Sequence, residues 1–247
     1  MGTRPDLLRK SLASIASAGN ARVHVVAPAS AHIDSILDPN SYDAFIVDPG
    51  KGLSAAIDTG LRSFPNSIEY INWIGDDDLL VENSLDKTAA LLGSNPKTVL
   101  VYGGCEYIDV EGNRIWKNKS GKYASPLLHF GPQLIPQPGA LMRRDAYMAI
   151  GGLNLSYKWA FDLDLLLRLK KVGTLQFVDT TLAKFRWHEG SLSVGGRRGS
   201  VNEASSIRRA SLPKVLRIVS PLWEIPMKQA ILAAGNRLNR KLKHIHG

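Results

Sequence analysis

The chain has 247 residues, 44% of them hydrophobic and 22 of them glycine, with a net charge of +9 and a pI near 9.7. That length builds one large domain, or a domain with an appendage, around a core that needs no covalent staples. The single Cys105 excludes an intramolecular disulfide and a multi-cysteine zinc site, so a reducing compartment is expected.

The predicted elements run in an alternating α/β rhythm through the first hundred residues. Pro5 to Ala18 carries Leu7, Leu8, Leu12 and Ile15 at helical spacing behind Pro and Asp, which predicts a helix. Arg22 to Ala27 and Ala44 to Val47 read as strands, and Leu53 to Phe64 as a helix behind Gly50 and Gly52. Tyr70 to Ile74 reads as a strand and Ser84 to Leu92 as a helix. Strands alternating with helices predict an α/β fold with a mostly parallel sheet flanked by helices, whose ligands bind beyond the carboxyl ends of the strands.

Further on, Val99 to Tyr107 is rich in strand formers, and IDVEGNRI reads as a hairpin turning at Glu111 and Gly112. Lys117 to Gln137 holds three prolines and reads as a long, flexible, substrate-facing loop. Helices are expected at Arg144 to Ile150 and Phe161 to Lys171, and a last strand at Gln176 to Arg186. Beyond Ser191 a mobile glycine- and arginine-rich loop is expected, then two helices broken by Pro213, Pro221 and Pro226.

Two acidic groups carry chemistry. In EYINWIGDDDLL an apolar strand runs into Asp76, Asp77 and Asp78; three neighbouring carboxylates repel unless a divalent cation or water neutralises them. They read either as a metal site or as caps for the following helix. In WAFDLDLLLRL, Asp162 and Asp164 lie in apolar surroundings where ionised carboxylates are costly. They read as a general base with a neighbour that orients or caps, or as two carboxylates complementing a helix N-terminus.

The succession GKGLSAAIDTGL, EYINWIGDDDLL, YGGCEYIDVEGNRI, QPGALMRRDAYMAIGGLN, WAFDLDLLLRL and FRWHEGSLS, over residues 3 to 195, resembles the family-2 glycosyltransferases with the GT-A fold, of the bacterial polysaccharide-building kind. The resemblance implies a metal-dependent, inverting hexosyl transfer from a nucleotide-sugar donor to a hydroxyl of a glycan or lipid-linked glycan. It implies Mg2+ or Mn2+ held by Asp77, Asp78 and His188, a donor site formed by Asp48, Gly52, Asp58, Asp76 and Asp77, and Asp162 as the base that deprotonates the acceptor. Gln137, Gly139 and Trp159 fall on the acceptor side, although Trp159 equally reads as core and His188 as an ordinary loop residue.

The sequence departs from that family in three places. The strand expected ahead of Thr3 to Asp6 is missing; Ala27 and Pro28 stand where an aspartate follows the second strand, leaving Asp48 as a substitute; and Phe161 replaces an acidic residue before the base. The domains expected are a catalytic unit at 1–195 and a basic helical extension at 196–247. Within it, Ile225 to Ile245 reads either as an amphipathic helix on an anionic membrane or as a helix packed on the catalytic unit with its basic face in solvent. The polar N-terminal segment MGTRPDLLRKSLASI and the lack of a long apolar run predict a cytoplasmic protein, soluble or peripheral on the inner face of the plasma membrane. Two other readings stay open: an inactive relative that still binds nucleotide or glycan, and a basic nucleic-acid-binding protein, which charge alone favours, since no helix-turn-helix, aromatic platform or zinc spacing is present.

Overall fold

In the computed structural model of the chain, residues 4–118, 121–188 and 197–245 are described, with the backbone alone for Arg197 and residues 234–245. The rest of the WHEGSLS motif and the glycine-rich loop expected after Ser191 lie outside the described residues.

Helix α1 (Pro5–Ala18) begins with Pro and Asp in its first turn and buries Leu12, Ile15 and Ala18. Strands β1 (His24–Ala27) and β2 (Ala44–Val47), joined across the short α2 (Ile33–Ile36), form a two-stranded parallel sheet covered by α3 (Leu53–Ser63). Then come β3 (Tyr70–Ile71), β4 (Leu79–Leu80), α4 (Ser84–Ser94), the long β5 (Thr98–Ile108), β6 (Arg114–Lys117), α5 (Ala124–Leu127), β7 (Leu141–Arg143), α6 (Arg144–Ala149), α7 (Phe161–Val172) and β8 (Thr174–Arg186). Three helices follow: α8 (Arg197–Ser211), α9 (Lys214–Val219) and α10 (Pro221–Ile245).

The α/β expectation holds, but the main sheet is mixed rather than mostly parallel. Its order is β3-β7-β5-β8-β4 with β6 on β5, and only β5 and β8 pair in parallel. Of the strands that reverse it, β4 and β7 are two and three residues long, too short for periodicity to register, and β6 is the return arm of the expected hairpin. For the same reason Asn72 to Ile74, expected as strand, is irregular: it leaves the edge at β3 and crosses to β4 on the opposite edge. The stretch expected as a flexible loop before Gln137 contains α5 and is tethered by Leu128 and Ile135, both fully buried. Pro226 does not break α10; the carbonyl that it leaves unbonded four residues earlier belongs to Leu222, whose exposure allows water to take its place.

The larger core lies between β5, β7 and β8 on one side and α6 and α7 on the other, built on Tyr102, Tyr147, Leu163, Leu166 and Leu169; Ile207 from α8 is part of it. A second core joins α1, β1, α2 and β4 through Leu12, Ile15, Val25, Ile33 and Leu80. β1 pairs with β2 and β3 with β7, and the remaining edge of each lines one cleft of about 1090 Å³. Apolar side chains of α1 (Leu8, Leu12, Ile15) and α3 (Ile57, Leu61) close its walls, and its polar mouth carries the aspartates.

Candidate functional site

The pairing of β4 with β8 assembles the polar end of the cleft. Leu79 lies opposite Lys184 in an antiparallel register, and continuing that register two residues outward sets Asp77 against Arg186, next to His188. His188 Nε2 lies 2.6 Å from Asp77 Oδ2, and the buried Arg186 donates from Nε to the Asp77 carbonyl at 3.0 Å. Arg4, just before α1, completes the group: its Nη2 is 3.0 Å from Asp77 Oδ2 and its Nη1 3.0 Å from His188 Nε2. Asp76 sits further out, 4.0 Å from the same guanidinium.

Asp78 turns the other way. It is buried, and its Oδ1 accepts the Arg186 backbone N–H at 2.8 Å. Burial pushes its carboxyl up to about 7, opposed by that hydrogen bond and reinforced by Asp77 and Asp76. Among the described residues no group of three His, Cys, Asp or Glu side chains is arranged to hold a metal. Asp77 and His188 nevertheless supply a carboxylate and an imidazole nitrogen side by side. Oxygen and imidazole donors of this kind suit Mg2+ or Mn2+, and in this structure the Arg4 guanidinium takes up both atoms.

Asp162 stands on another wall of the cleft, in the first turn of α7. Its Oδ1 accepts the Leu163 N–H at 2.8 Å and its Oδ2 the Gln133 amide at 3.2 Å, which fixes the carboxylate plane. Burial raises its pKa above the ordinary aspartate value; the hydrogen bonds from Gln133 and the backbone, and the charge of Arg208, pull it back. Arg208, buried on α8, has its own pKa lowered to about 10 by that burial, with the charges of Glu224 and Asp162 opposing, and so stays a cation at neutral pH. Asp164 does not face this point: it pairs with Arg168 one turn on (2.7 Å), which in turn holds the carbonyls of Ile150 and Gly152.

α7 has Ala160 at its N-cap, which offers no capping oxygen. Glu203 of α8 reaches over instead and accepts three successive backbone N–H groups, Lys158 at 3.0 Å, Trp159 at 2.7 Å and Ala160 at 2.7 Å. The segment that carries Trp159 and leads into Asp162 is therefore held from outside the 1–195 stretch.

Of the residues singled out in the sequence, Asp76, Asp77, Asp78, Gln137, Trp159, Asp162 and His188 line the one cleft. Gln137 braces it by donating to the Trp73 carbonyl at 2.7 Å and to Asn72 Oδ1 at 3.1 Å. Four residues are not among those lining it. Asp48 accepts the Gly50 N–H of its own loop at 2.8 Å. Gly52 caps α3 at φ 96°, a conformation that suits glycine. Asp58 is buried in a network with the Tyr147 hydroxyl (2.5 Å), the Leu153 amide (3.1 Å) and Arg62 (2.7 Å). Gly139 packs against β8, where an added Cβ would lie 2.7 Å from that of Leu182. Sequence reasoning missed Arg4, Gln133, Arg186, Glu203 and Arg208. Arg186 falls inside the FRWH motif; the others act on partners 29 to 184 positions away, or through charge alone, and leave no local signal.

No protein-family model matches the chain. It is 26% identical over 160 residues to an uncharacterized glycosyltransferase of Rickettsia conorii, covering 61% of this chain and 26% of that protein. An uncharacterized glycosyltransferase of Rickettsia typhi is 28% identical over 148 residues, covering 56% and 45%. The chain thus spans between a quarter and a half of the length of these relatives. Among solved structures, the mannosyltransferase PcManGT of Pyrobaculum calidifontis, in complex with GDP-Man and Mn2+, aligns with a TM-score of 0.60 at 16% identity over 95% of this chain and 72% of that one. S. aureus TarS 1–349 aligns with a TM-score of 0.59 at 11% identity over 86% and 64%. The fold is of the GT-A type.

Proposed function

We propose that the chain is a glycosyltransferase that moves a sugar from a nucleoside-diphosphate donor to a hydroxyl of a glycan or lipid-linked glycan, in the cytoplasm beside the inner face of the plasma membrane and in the service of polysaccharide synthesis. The observation that carries the reading is one cleft with the Asp77–His188 pair at its mouth and the fixed carboxylate of Asp162 on its wall. The GT-A-type fold and the glycosyltransferase names of its relatives support it.

In this reading Asp77 and His188 hold Mg2+ or Mn2+, which supplies charge neutralisation for the departing diphosphate. Arg4 adds a guanidinium at the same point, suited to a phosphate oxygen. Asp162 takes the proton of the acceptor hydroxyl as it attacks from the face opposite the nucleotide, so the sugar centre inverts. Gln133 and the Leu163 amide keep one geometry of that carboxylate, and Trp159 offers an aromatic face to a sugar ring. Asp78 supports the pair from behind, through Arg186. An extended segment seated between the edges of β1 and β3 that line the cleft would join the two sheets and floor its donor end.

Titration calorimetry with UDP, GDP, dTDP and CDP, with Mn2+ and with chelator, tests the reading. Binding of one diphosphate in the presence of metal alone is the expected result. Equal binding with chelator would remove the metal from the scheme, and no binding by any of the four would remove the donor site.

A further inference from the structure

The α9–α10 junction is turned inside out. Val215, Ile218, Leu222 and Ile225 follow one another at spacings of three, four and three and are 75%, 80%, 78% and 57% exposed. Residues on the opposite side of the same turns, Ser220 and Glu224, are 0% and 1% exposed. Glu224 is held inward by Arg209, whose Nη2 lies 2.5 Å from its Oε2. A surface helix placed by burial of its apolar stripe would face the other way. Here an ion pair fixes the polar side against the body, and the aliphatic stripe projects outward. The apolar surface continues across Trp223, whose ring meets that of the half-exposed Phe130 edge-on at 5.9 Å.

Charge says what this stripe meets. From Arg208 to Gly247 the sequence has nine Lys and Arg against the single Glu224, so eight of the nine net positive charges fall in the last 40 residues and the remaining 207 are close to neutral. Aliphatic side chains projecting from a helix within a cationic segment suit an anionic lipid surface: Arg208 is buried and Arg209 paired with Glu224, but the aliphatic side chains enter the head-group boundary while Lys214, Arg217, Lys228 and the basic residues after them meet the phosphates. Nucleic acid would use the cations and leave the stripe in water. A second copy of the chain would bring two such cationic segments together. Among the described residues no helix is long and apolar enough to cross a membrane, so contact would lie in the plane of the interface.

We propose that the α9–α10 junction is an in-plane docking surface for an anionic bilayer, with Ile218 and Leu222 as the inserted side chains. This places the contact on α9 and the first turns of α10, ahead of most of the basic tail. It stands apart from the donor chemistry, so a failure to bind nucleotide leaves it untouched.

The test is co-sedimentation of the full chain with vesicles of equal parts phosphatidylglycerol and phosphatidylcholine, and with phosphatidylcholine alone. Binding to the anionic vesicles that weakens with salt is expected, and I218S/L222S should lower the partition coefficient at least ~10-fold, since several methylene groups leave the interface. Both positions are exposed, so the double variant should melt as the wild type does, which separates lost docking from lost folding. Three results would overturn the proposal: no binding to anionic vesicles at low salt; a double variant that binds as well as the wild type; or a concentration-dependent dimer, abolished by I218S/L222S, without vesicle binding.

Discussion

Glu203→Ala isolates the link between α8 and the start of α7. The carboxylate accepts from Lys158, Trp159 and Ala160, and the last two donors are partly buried. A buried N–H left without a partner costs about 1–3 kcal/mol, and loss of an anion at a helix N-terminus costs about 0.5 kcal/mol more. The exposed Lys158 amide turns to water at little cost. The sum is about 3 kcal/mol, which for a chain of this size lowers Tm by roughly 6–12 °C. Glu203→Gln keeps one carbonyl oxygen able to accept from both Trp159 and Ala160, and should lose about 1 kcal/mol. Thermal unfolding followed by circular dichroism measures both, and turnover at a temperature where every variant is folded shows whether Asp162 has moved. A Glu203→Ala protein melting within about 2 °C of the wild type would mean that other contacts hold the entry to α7 and that α8 is dispensable to it.

Asp162→Asn should abolish transfer while leaving nucleoside-diphosphate affinity within about twofold, because it removes the base and no donor contact; wild-type turnover would end that assignment. Because the Asp162 pKa is raised, the ionised base is present above that pKa and lost as pH falls through it, so the acid limb of the rate profile should lie above the ordinary aspartate range; a limb at or below that range would refute the assignment. The same shift means that the native state keeps this proton to higher pH than the unfolded chain, so its contribution to stability falls as pH rises through the folded pKa. Asp77→Ala should abolish metal-dependent diphosphate binding in calorimetry, and unchanged affinity with and without Mn2+ would refute its role. Fusing about six alternating Val and Thr residues ahead of Met1 should protect the amides of β1 and β3 from hydrogen exchange and raise Tm by about 5 °C over a Gly/Ser fusion, since a seated strand buries apolar surface and pairs two edges. Equal exchange in the two fusions would mean that the cleft does not seat a strand.

What the sequence made legible follows the range of the forces involved. α1, α4 and α7 came out within two residues of their expected ends because apolar spacing and terminal residues are local signals. The mixed sheet did not, because β3, β4 and β7 take their direction from partners far along the chain. At the site, the carboxylate cluster was legible from its own charges, but the choice of Asp77 within it and the part of His188 came only through the order of motifs; a register 105 positions wide brings the two together. Asp58 sits inside a motif of that order, yet its carboxylate is engaged with Tyr147, Leu153 and Arg62. Position in a motif gave the helix and could not give the direction of the side chain.

The two ends of the cleft are held by different parts of the chain, and this bears on how they fail. Asp77 is fixed by the β4/β8 register, by Arg186 and by Arg4. Asp162 is fixed by Gln133, by its own helix turn and, through the entry to α7, by Glu203. None of the partners named for one carboxylate is a partner of the other, so losses at the two sites should add in unfolding free energy. In a double variant, the loss of unfolding free energy should equal the sum of the losses in Asp77→Ala and Asp162→Asn. A coupling above about 0.5 kcal/mol would mean that the two walls move together and that the cleft is one mechanical unit rather than two supports facing a common space.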